Sequence, residues 1–252
     1  MPGFALPWAI SAAAALRVAS LDLCADEYLL LLARAGEIAS VSRIGRDRED
    51  SLLWKRARQY PANDGTIESV LAARPTVLLR TGSGGGRSTD ALARRLGVRV
   101  EALPYPSTIA EVEAEMVRVA RLLGDERRAD PWRVRLRQLE RRPPLSRDTI
   151  FLSGGGFSVA AGSLGAEWMR LAGFAQRPLA DGRVTFEQLA TRPPAVLLQS
   201  SYRAAQASLG QRWLDHPIVR GGRSRRIATD GRPWTCAGPM VLFEIERLRG
   251  AQ

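Results

Sequence analysis

Residues 67–79 read IESVLAARPTVLL, and residues 186–198 read FEQLATRPPAVLL. In both stretches a glutamate, Glu68 or Glu187, stands second, a proline follows seven positions later, and an apolar run closes the pattern. The first part of each stretch predicts a short helix, the proline ends it, and the apolar run predicts a buried strand. A pattern that occurs twice indicates an architecture built twice, so we expect two similar α/β units.

The composition fits a folded protein with one large domain or two modest ones. The chain has 252 residues, of which 45% are hydrophobic, and its formal net charge is +11. Lys55 is the only lysine, so nearly all of the positive charge comes from arginine, as genome composition alone can produce. The basic residues are spread over both halves instead of being gathered on one helix, so we expect no nucleic-acid partner.

The first residues of the chain are apolar and small. Residues 4–15 include Ala12, Ala13 and Ala14, a pattern similar to the hydrophobic region and cleavage site of an export signal. No basic residue precedes this segment, so two interpretations stay open. Residues 1–16 are the remnant of an export signal, or they form a short N-terminal helix. The segment is shorter than the ~20 apolar residues with which a helix crosses a bilayer.

Strand and helix patterns alternate along both halves of the chain, which predicts an α/β fold with parallel sheets wrapped by helices. We assign residues 17–123 to an N-terminal α/β lobe, residues 124–142 to a connecting helix and residues 143–252 to a C-terminal α/β lobe. A helix from about residue 125 to 142 would span ~27 Å, enough to join two small lobes. Pro131 leaves two possibilities, because it either kinks this helix or starts a new one at Asp130.

Several short motifs occur in a fixed order. They are VASLDLCAD at residues 18–26, the two glutamate-to-proline units, LLG at residues 122–124 and WTCAGP at residues 234–239. With these motifs the chain from Arg17 to Leu248 resembles the substrate-binding proteins of ABC importers for ferric siderophores, haem and cobalamin. The resemblance implies two Rossmann-like lobes joined by a long α-helix, with a ligand cleft between the lobes. It also implies a monomer in the periplasm that is not an enzyme.

The resemblance gives Glu68 and Glu187 a docking role. In the family, one surface glutamate per lobe meets arginines on the two subunits of the inner-membrane permease, and both residues occupy the matching positions of the repeat. A carboxylate paired with a guanidinium speeds the encounter and orients the complex. The alternative is that each glutamate only complements the dipole of its own helix, which contributes ~0.3–1 kcal/mol.

The ligand is expected between the lobes, where open α/β sheets present the carboxyl ends of their strands. Arginines there would hold an anionic chelate, and aromatic rings would offer flat apolar contact. This combination favours a ferric siderophore as the ligand, and Tyr60, Tyr105 and Tyr202 keep haem open. Cobalamin is a further alternative, and no resident cofactor or metal is expected. The candidate ligand-binding residues are Cys24, Arg43, Arg80, Thr81, Gly155, Phe157, Tyr202, Arg203, Trp234 and Cys236.

Cys24 and Cys236 are the only cysteines, and they form either one bridge or two free thiols. Both fall on expected cleft loops, one from each lobe. A bond between them would pin the cleft of a protein that must release its cargo, whereas free cysteines are commonly small buried apolar residues. A helix N-terminus at Cys24 would lower the pKa of its thiol, which leaves contact with a ligand or a metal open.

An α/β enzyme is the alternative from another class, because phosphate sites use a glycine-rich loop after a strand. Such a loop runs from Gly82 to Gly86, but it lacks the lysine of a P-loop, and its glycines miss the dinucleotide-binding spacing. His216, the sole histidine, precedes Pro217 in an expected turn. A catalytic role is therefore the less favoured interpretation.

Overall fold

The computed structural model describes residues 15–82, 87–142, 147–203 and 205–250. Each half of the chain forms its own parallel sheet with interleaved helices, so the expected α/β fold with two lobes is confirmed. Residues 1–14 of the expected export-signal remnant and residues 83–86 of the glycine-rich loop lie outside the described residues.

The N-terminal lobe contains the strands β1 (Val18–Ser20), β2 (Ile38–Ser42), β3 (Ala62–Asn63), β4 (Val77–Thr81) and β5 (Arg99–Leu103). They lie in the order β3-β2-β1-β4-β5, and every neighbouring pair is parallel. The helices are α1 (Leu23–Leu32), α2 (Trp54–Ala57), α3 (Ile67–Leu71) and α4 (Arg87–Arg95). Strands β1 and β2 are buried along their whole lengths, because helices cover both faces of the sheet.

Two helices connect the lobes. The first, α5 (Ile109–Leu122), starts at the expected cap, Thr108, whose side chain accepts a hydrogen bond from the backbone of Glu111. After α5 the backbone turns at Gly124, where φ is +87°, a conformation that glycine adopts without strain. A 3-10 turn (Glu126–Ala129) and then α6 (Asp130–Glu140) follow.

The connecting segment differs from the single helix expected over residues 124–142. Pro131 lies in the first turn of α6, so it starts a new helix, the second of its two possibilities. Arg133 and Arg137 of α6 pair with Glu113 near the start of α5, which shows that α6 runs back along α5 as a helical hairpin.

The C-terminal lobe contains the strands β6 (Arg147–Leu152), β7 (Phe174–Gln176), β8 (Val196–Ser200) and β9 (Arg225–Thr229), in the parallel order β7-β6-β8-β9. Its helices are α7 (Leu164–Leu171), α8 (Phe186–Thr191), α9 (Leu209–Leu214), α10 (Pro217–Gly221) and α11 (Val241–Gly250). None of the helices in the described ranges has both the length and the apolar character needed to cross a bilayer.

The repeat seen in the sequence is a repeat of structure. Glu68 is the second residue of α3 and Glu187 the second residue of α8, and a threonine caps each helix. The strands that follow, β4 and β8, each pair with the first strand of their lobe. The two stretches therefore build equivalent parts of the two lobes.

One apolar core continues from lobe to lobe. It joins Leu29 of α1, Met116 of α5 and Leu136 of α6 to Trp168 of α7 and Ile245 of α11. The rings of Trp132 and Trp168 meet edge to face, with centroids 6.4 Å apart. The lobes are thus packed against each other through the hairpin, and each also has a smaller outer cluster of its own.

A disulfide joins the lobes. Cys24 lies in the first turn of α1, and its partner Cys236 lies between β9 and α11. Of the two alternatives left by the sequence, one bridge is therefore correct. The free thiol at Cys24 that the sequence left open is therefore absent, whereas a contact of Cys24 or Cys236 with a ligand stays a prediction.

Gly45 provides a test of the packing beneath the cleft. A Cβ atom at Gly45 would lie 2.0 Å from Oδ2 of Asp26, a buried carboxyl that the hydroxyls of Ser20 and Ser42 hold in place. We expect Gly45→Ala to lower the free energy of unfolding by roughly 1–3 kcal/mol, as overpacked sites do. Urea unfolding measures this change.

The matched control is Gly36→Ala, because a Cβ atom at Gly36 meets no atom within 4 Å. Its free energy of unfolding should stay within about 0.5 kcal/mol of the wild-type value. Equal effects of the two substitutions would contradict the packing described here.

Candidate functional site

Loops that follow strands of both sheets meet at the junction of the lobes. They enclose a pocket of about 210 Å³ in which every lining side chain is polar: Arg48, Glu49, Ser201, Arg203, Asp230 and Arg232. The first two residues follow β2, and the other four follow β8 and β9. Both lobes therefore contribute to this pocket at the carboxyl ends of their strands, the usual place for a ligand in open α/β sheets.

Asp50 bridges the lobes beside this pocket. Its carboxylate accepts a hydrogen bond of 2.7 Å from the hydroxyl of Tyr202 and a bidentate pair of 2.7 Å bonds from Nη2 of Arg203. Asp50 is buried, whereas Arg203 is about one-third exposed. Burial, together with the neighbouring Asp50, raises the pKa of Tyr202. Tyr202 and Arg203, both candidate ligand residues, are thus engaged in holding the lobes together.

Arg232 makes a second polar bridge. Its Nη1 donates a 2.8 Å hydrogen bond to the backbone carbonyl of Arg48 in the other lobe. The same guanidinium pairs with Asp230, and hydrogen bonding from Arg232 holds the pKa of that carboxyl below its usual value despite partial burial. The segment from Arg48 to Asp50 is therefore fastened to the C-terminal lobe at both ends.

Two further candidates are engaged within the N-terminal lobe. Arg80 forms a bidentate pair with Asp90 of α4, through Nε at 2.9 Å and Nη2 at 2.6 Å. Thr81 donates from its backbone nitrogen and its hydroxyl to Asp22, at 2.7 and 2.8 Å. Both residues lie at the cleft end of β4, but these bonds tie β4 to its neighbours in the lobe.

Trp234 also belongs to the framework. Its ring packs 5.0 Å from that of Phe151, and its indole nitrogen donates to the hydroxyl of Thr229 at 2.9 Å. The half-buried indole is thus held by its own lobe. Contact between Trp234 and a ligand stays a prediction.

The other three candidates are accessible. Arg43 is exposed, Phe157 is 52% exposed, and Gly155 has a φ of +74° in the turn that presents Phe157. The guanidinium of Arg183 lies over the Phe157 ring at 4.0 Å, as in a cation–π pair. A flat aromatic face with a cation behind it suits an anionic or conjugated ligand.

Tyr105 is an accessible aromatic residue that was not among the candidate ligand-binding residues. It follows β5, it is 56% exposed, and its ring lies close enough to Gly82 that a Cβ atom there would approach it to 2.8 Å. Gly82 follows β4, so the ring covers the carboxyl end of the neighbouring strand. The position of Tyr105 two residues after the last residue of β5 is the sequence signal that indicates this placement.

Asp26 supports the loop that carries Arg43. Its carboxyl accepts hydrogen bonds from the hydroxyls of Ser20 and Ser42 and, at 3.0 Å, from the backbone nitrogen of Ser42. Burial raises the pKa of Asp26 from 3.8 to about 7, although these hydrogen bonds oppose the shift. Asp26 therefore sets the path of the chain where β2 ends and the cleft loop begins.

Glu27 reaches across the junction from α1. Burial raises its pKa well above the usual value, and the backbone of Met240 offsets part of this effect. Its Oε2 has no hydrogen-bond partner among the described residues, and it would lie 2.9 Å from a Cβ atom at Gly238. A buried carboxyl group from one lobe thus packs against the segment after Cys236 in the other.

Glu68 and Glu187 face solvent. Both side chains are exposed, and neither carboxylate has a hydrogen bond or ion pair within the residues that the structure describes. Whether they dock on a partner stays a prediction at this point, but both are free to do so.

Comparisons with family models and with curated protein sequences give no match. Comparison with solved structures gives many. The periplasmic haem-binding protein HutB of Vibrio cholerae has a TM-score of 0.68 at 18% identity, over 94% of this chain and 98% of that one. The periplasmic vitamin B12-binding protein BtuF of Vibrio cholerae has a TM-score of 0.62 at 18% identity, over 93% and 95%.

A third similar structure is the siderophore-binding protein BauB, bound to two molecules of acinetobactin and ferric iron. It has a TM-score of 0.65 at 14% identity, over 94% of this chain and 92% of that one. These coverages extend over both lobes, so the chain has the fold of periplasmic substrate-binding proteins. At these identities the likeness concerns the fold, while the ligands named differ from one structure to the next.

The raised pKa of Asp26 predicts a pH dependence of stability. A carboxyl whose pKa is higher in the folded state binds a proton more tightly there, so folding is favoured at low pH and loses this contribution as pH rises from about 4 to about 7. We expect wild-type protein to lose stability over this range relative to Asp26→Asn, with a constant difference above it. Denaturant unfolding from pH 4 to pH 8 measures this.

Asp215→Asn is the control, because Asp215 is exposed. Its unfolding free energy should follow that of the wild type across the same range. Parallel curves for wild type and Asp26→Asn would show that Asp26 does not titrate there.

Proposed function

We propose that this protein is the substrate-binding protein of an ABC importer: it captures a bulky metal chelate between its lobes and delivers it to a permease dimer. The carrying observation is the pair Glu68 and Glu187, two exposed carboxylates at the same register of two equivalent helices. A permease dimer presents two related surfaces, and a matched carboxylate on each lobe meets both. The work of the protein is binding, without a chemical step, in the periplasm.

The size of the junction pocket bears on where a chelate binds. Sites for small ligands have volumes of ~300–1,000 Å³, so a pocket of about 210 Å³ holds only part of a chelate. Its arginines suit an anionic arm of the ligand. The body of the ligand then lies against the exposed rings of Tyr105 and Phe157, one on each lobe.

A ferric siderophore is the first candidate ligand, because the accessible cations Arg43, Arg48 and Arg183 suit an anionic chelate. Haem is the second, and Tyr105 is the observation that favours it. The hydroxyl of Tyr202 is engaged with Asp50 and Tyr60 packs on the core, whereas Tyr105 exposes its ring. Cobalamin is the remaining alternative of the same class.

The docking role is tested with the double variant Glu68→Ala, Glu187→Ala. We expect it to abolish ligand uptake in cells that carry the permease while ligand affinity of the purified protein stays unchanged, because both carboxylates lie outside the cleft loops. Uptake of labelled ligand and a binding titration measure the two effects.

The matched control is Glu111→Ala, which removes another exposed glutamate from the first turn of a helix. It should transport at the wild-type rate. If the double variant also transports normally, Glu68 and Glu187 do not dock.

The ligand class is tested by titrating the purified protein with a ferric siderophore, haem and cobalamin. We expect Phe157→Ala to weaken the ligand that binds by roughly 2–10-fold, the value of one aromatic contact of ~0.5–1.5 kcal/mol. Absorption spectra and tryptophan fluorescence measure binding.

The pair Tyr105→Phe and Tyr105→Ala separates two roles of this residue. If its oxygen binds haem iron, both variants lose the haem spectrum; if only its ring stacks on the ligand, Tyr105→Phe binds as the wild type does. Leu96→Ala removes another exposed apolar side chain of the same lobe and should have no effect. Failure of all three ligands to bind would contradict the proposal.

A further inference from the structure

The two partners of the interlobe disulfide are held rigidly in their own lobes. On the N-terminal side, Asp22 caps α1 by accepting from the backbone of Ala25 at 2.9 Å, and the same carboxylate accepts from Thr81 of β4. Cys24 lies inside this capped turn. The position of Cys24 is therefore fixed relative to the whole sheet of its lobe.

On the C-terminal side, two tryptophans hold the segment that follows Cys236. The indole nitrogen of Trp168 donates to the carbonyl of Ala237 at 3.0 Å, and that of Trp132 donates to the carbonyl of Pro239 at 2.9 Å. Because both ends of the disulfide are anchored, the bond fixes the distance between the lobes, which a bond to a mobile loop would not do.

The backbone is strained beside two contacts between the lobes, the Cys24–Cys236 disulfide and the Asp50–Arg203 ion pair. Ala237, next to Cys236, and Arg203, which pairs with Asp50, both have a φ of +49°. Residues other than glycine rarely adopt this left-handed conformation, and it persists where surrounding contacts enforce it. Breaking either interlobe contact removes one of the contacts that enforce the strained conformation, so the backbone there can relax.

Accessibility distinguishes the two cysteines. Cys236 is 8% exposed, whereas Cys24 is partly exposed at the edge of the junction. Of the two residues, Cys24 is therefore the more accessible to an incoming thiolate. Beside Gly238, two residues after Cys236, lies the buried carboxyl of Glu27, whose Oε2 has no hydrogen-bond partner among the described residues.

We infer that the Cys24–Cys236 disulfide is an exchange site for a dithiol reductant and that its redox state sets the width of the cleft. A reductant thiolate attacks Sγ of Cys24 and forms a mixed disulfide, while Sγ of Cys236 leaves and takes up a proton. The second thiol of the reductant then releases Cys24 as a thiol. In total, the dithiol gives two electrons and two protons to the protein and becomes a disulfide.

With the bond broken, the junction depends on the Asp50 and Arg232 bridges and on packing around Glu27. Burial raises the pKa of Glu27, so water that enters the junction favours its charged form, and burying that charge again disfavours closing. The lobes then separate on the side of β2, β8 and β9, while the shared core of α5, α6 and α7 stays intact as the hinge. The inference does not depend on the proposed ligand, since the opening is measured without one.

The experiment compares the oxidised protein with the same protein after dithiothreitol, and with the variant Cys24→Ser, Cys236→Ser. Free thiols are counted, the radius of gyration is measured by X-ray scattering, and hydrogen exchange is followed in residues 45–53 and 200–203. We expect two thiols to appear on reduction, the radius to increase and exchange in both segments to speed up. The variant should match the reduced protein and be unaffected by dithiothreitol.

Circular dichroism separates opening of the cleft from unfolding. Helix content should be unchanged on reduction, so its loss would show that the bond only stabilises the fold, and this would overturn the inference. Thiols that appear with no change in scattering or exchange would also overturn it, as would a disulfide that dithiothreitol does not reduce. Should the double variant fail to fold, the reduced wild-type protein alone decides among these outcomes.

Discussion

The anchoring of the first turn of α1 is the constraint on which the rest of the junction depends. Within six residues, Asp22 ties the helix to β4, Cys24 bonds to the other lobe, Asp26 fixes the loop after β2, and Glu27 packs beneath the segment after Cys236. Each of these contacts requires the first turn of α1 to have a fixed position relative to the sheet of its lobe. Asp22 fixes this position, because its carboxylate accepts hydrogen bonds from the backbone of Ala25 in α1 and from the backbone of Thr81 in β4.

Three arginines near the junction are engaged with acids of the protein itself. Arg80 pairs with Asp90, Arg203 with Asp50, and Arg232 with Asp230. A buried carboxylate such as Asp50 is costly without a cation, so the protein must supply one from the facing lobe. These three basic residues near the cleft therefore serve the framework, whereas Arg43, Arg48 and Arg183 at its edge are exposed.

The sequence predicted the fold well because apolar periodicity, helix caps and the repeated glutamate-to-proline unit are all local signals. Thr108 capped a helix as expected, and Pro131 started a new helix, one of the two possibilities that its position left open. The partners of the polar residues were not predictable in this way. Asp50 and Arg203 are 153 positions apart, and only the approach of the two lobes brings them together. The choice of partner for a surface-like arginine depends on that geometry, so the sequence did not predict that several candidates also hold the framework together, and their part in ligand binding stays a prediction.

The shared core has a consequence for how the chain matures. Trp132, Trp168 and α11 complete a single apolar interior, and Cys236 comes 212 positions after its partner. During synthesis the N-terminal lobe can form its sheet early. The two lobes cannot complete their shared core until α11 has left the ribosome. A chain truncated before α11 therefore lacks the last wall of this interior, and a chain truncated before Cys236 also lacks the covalent bond between the lobes.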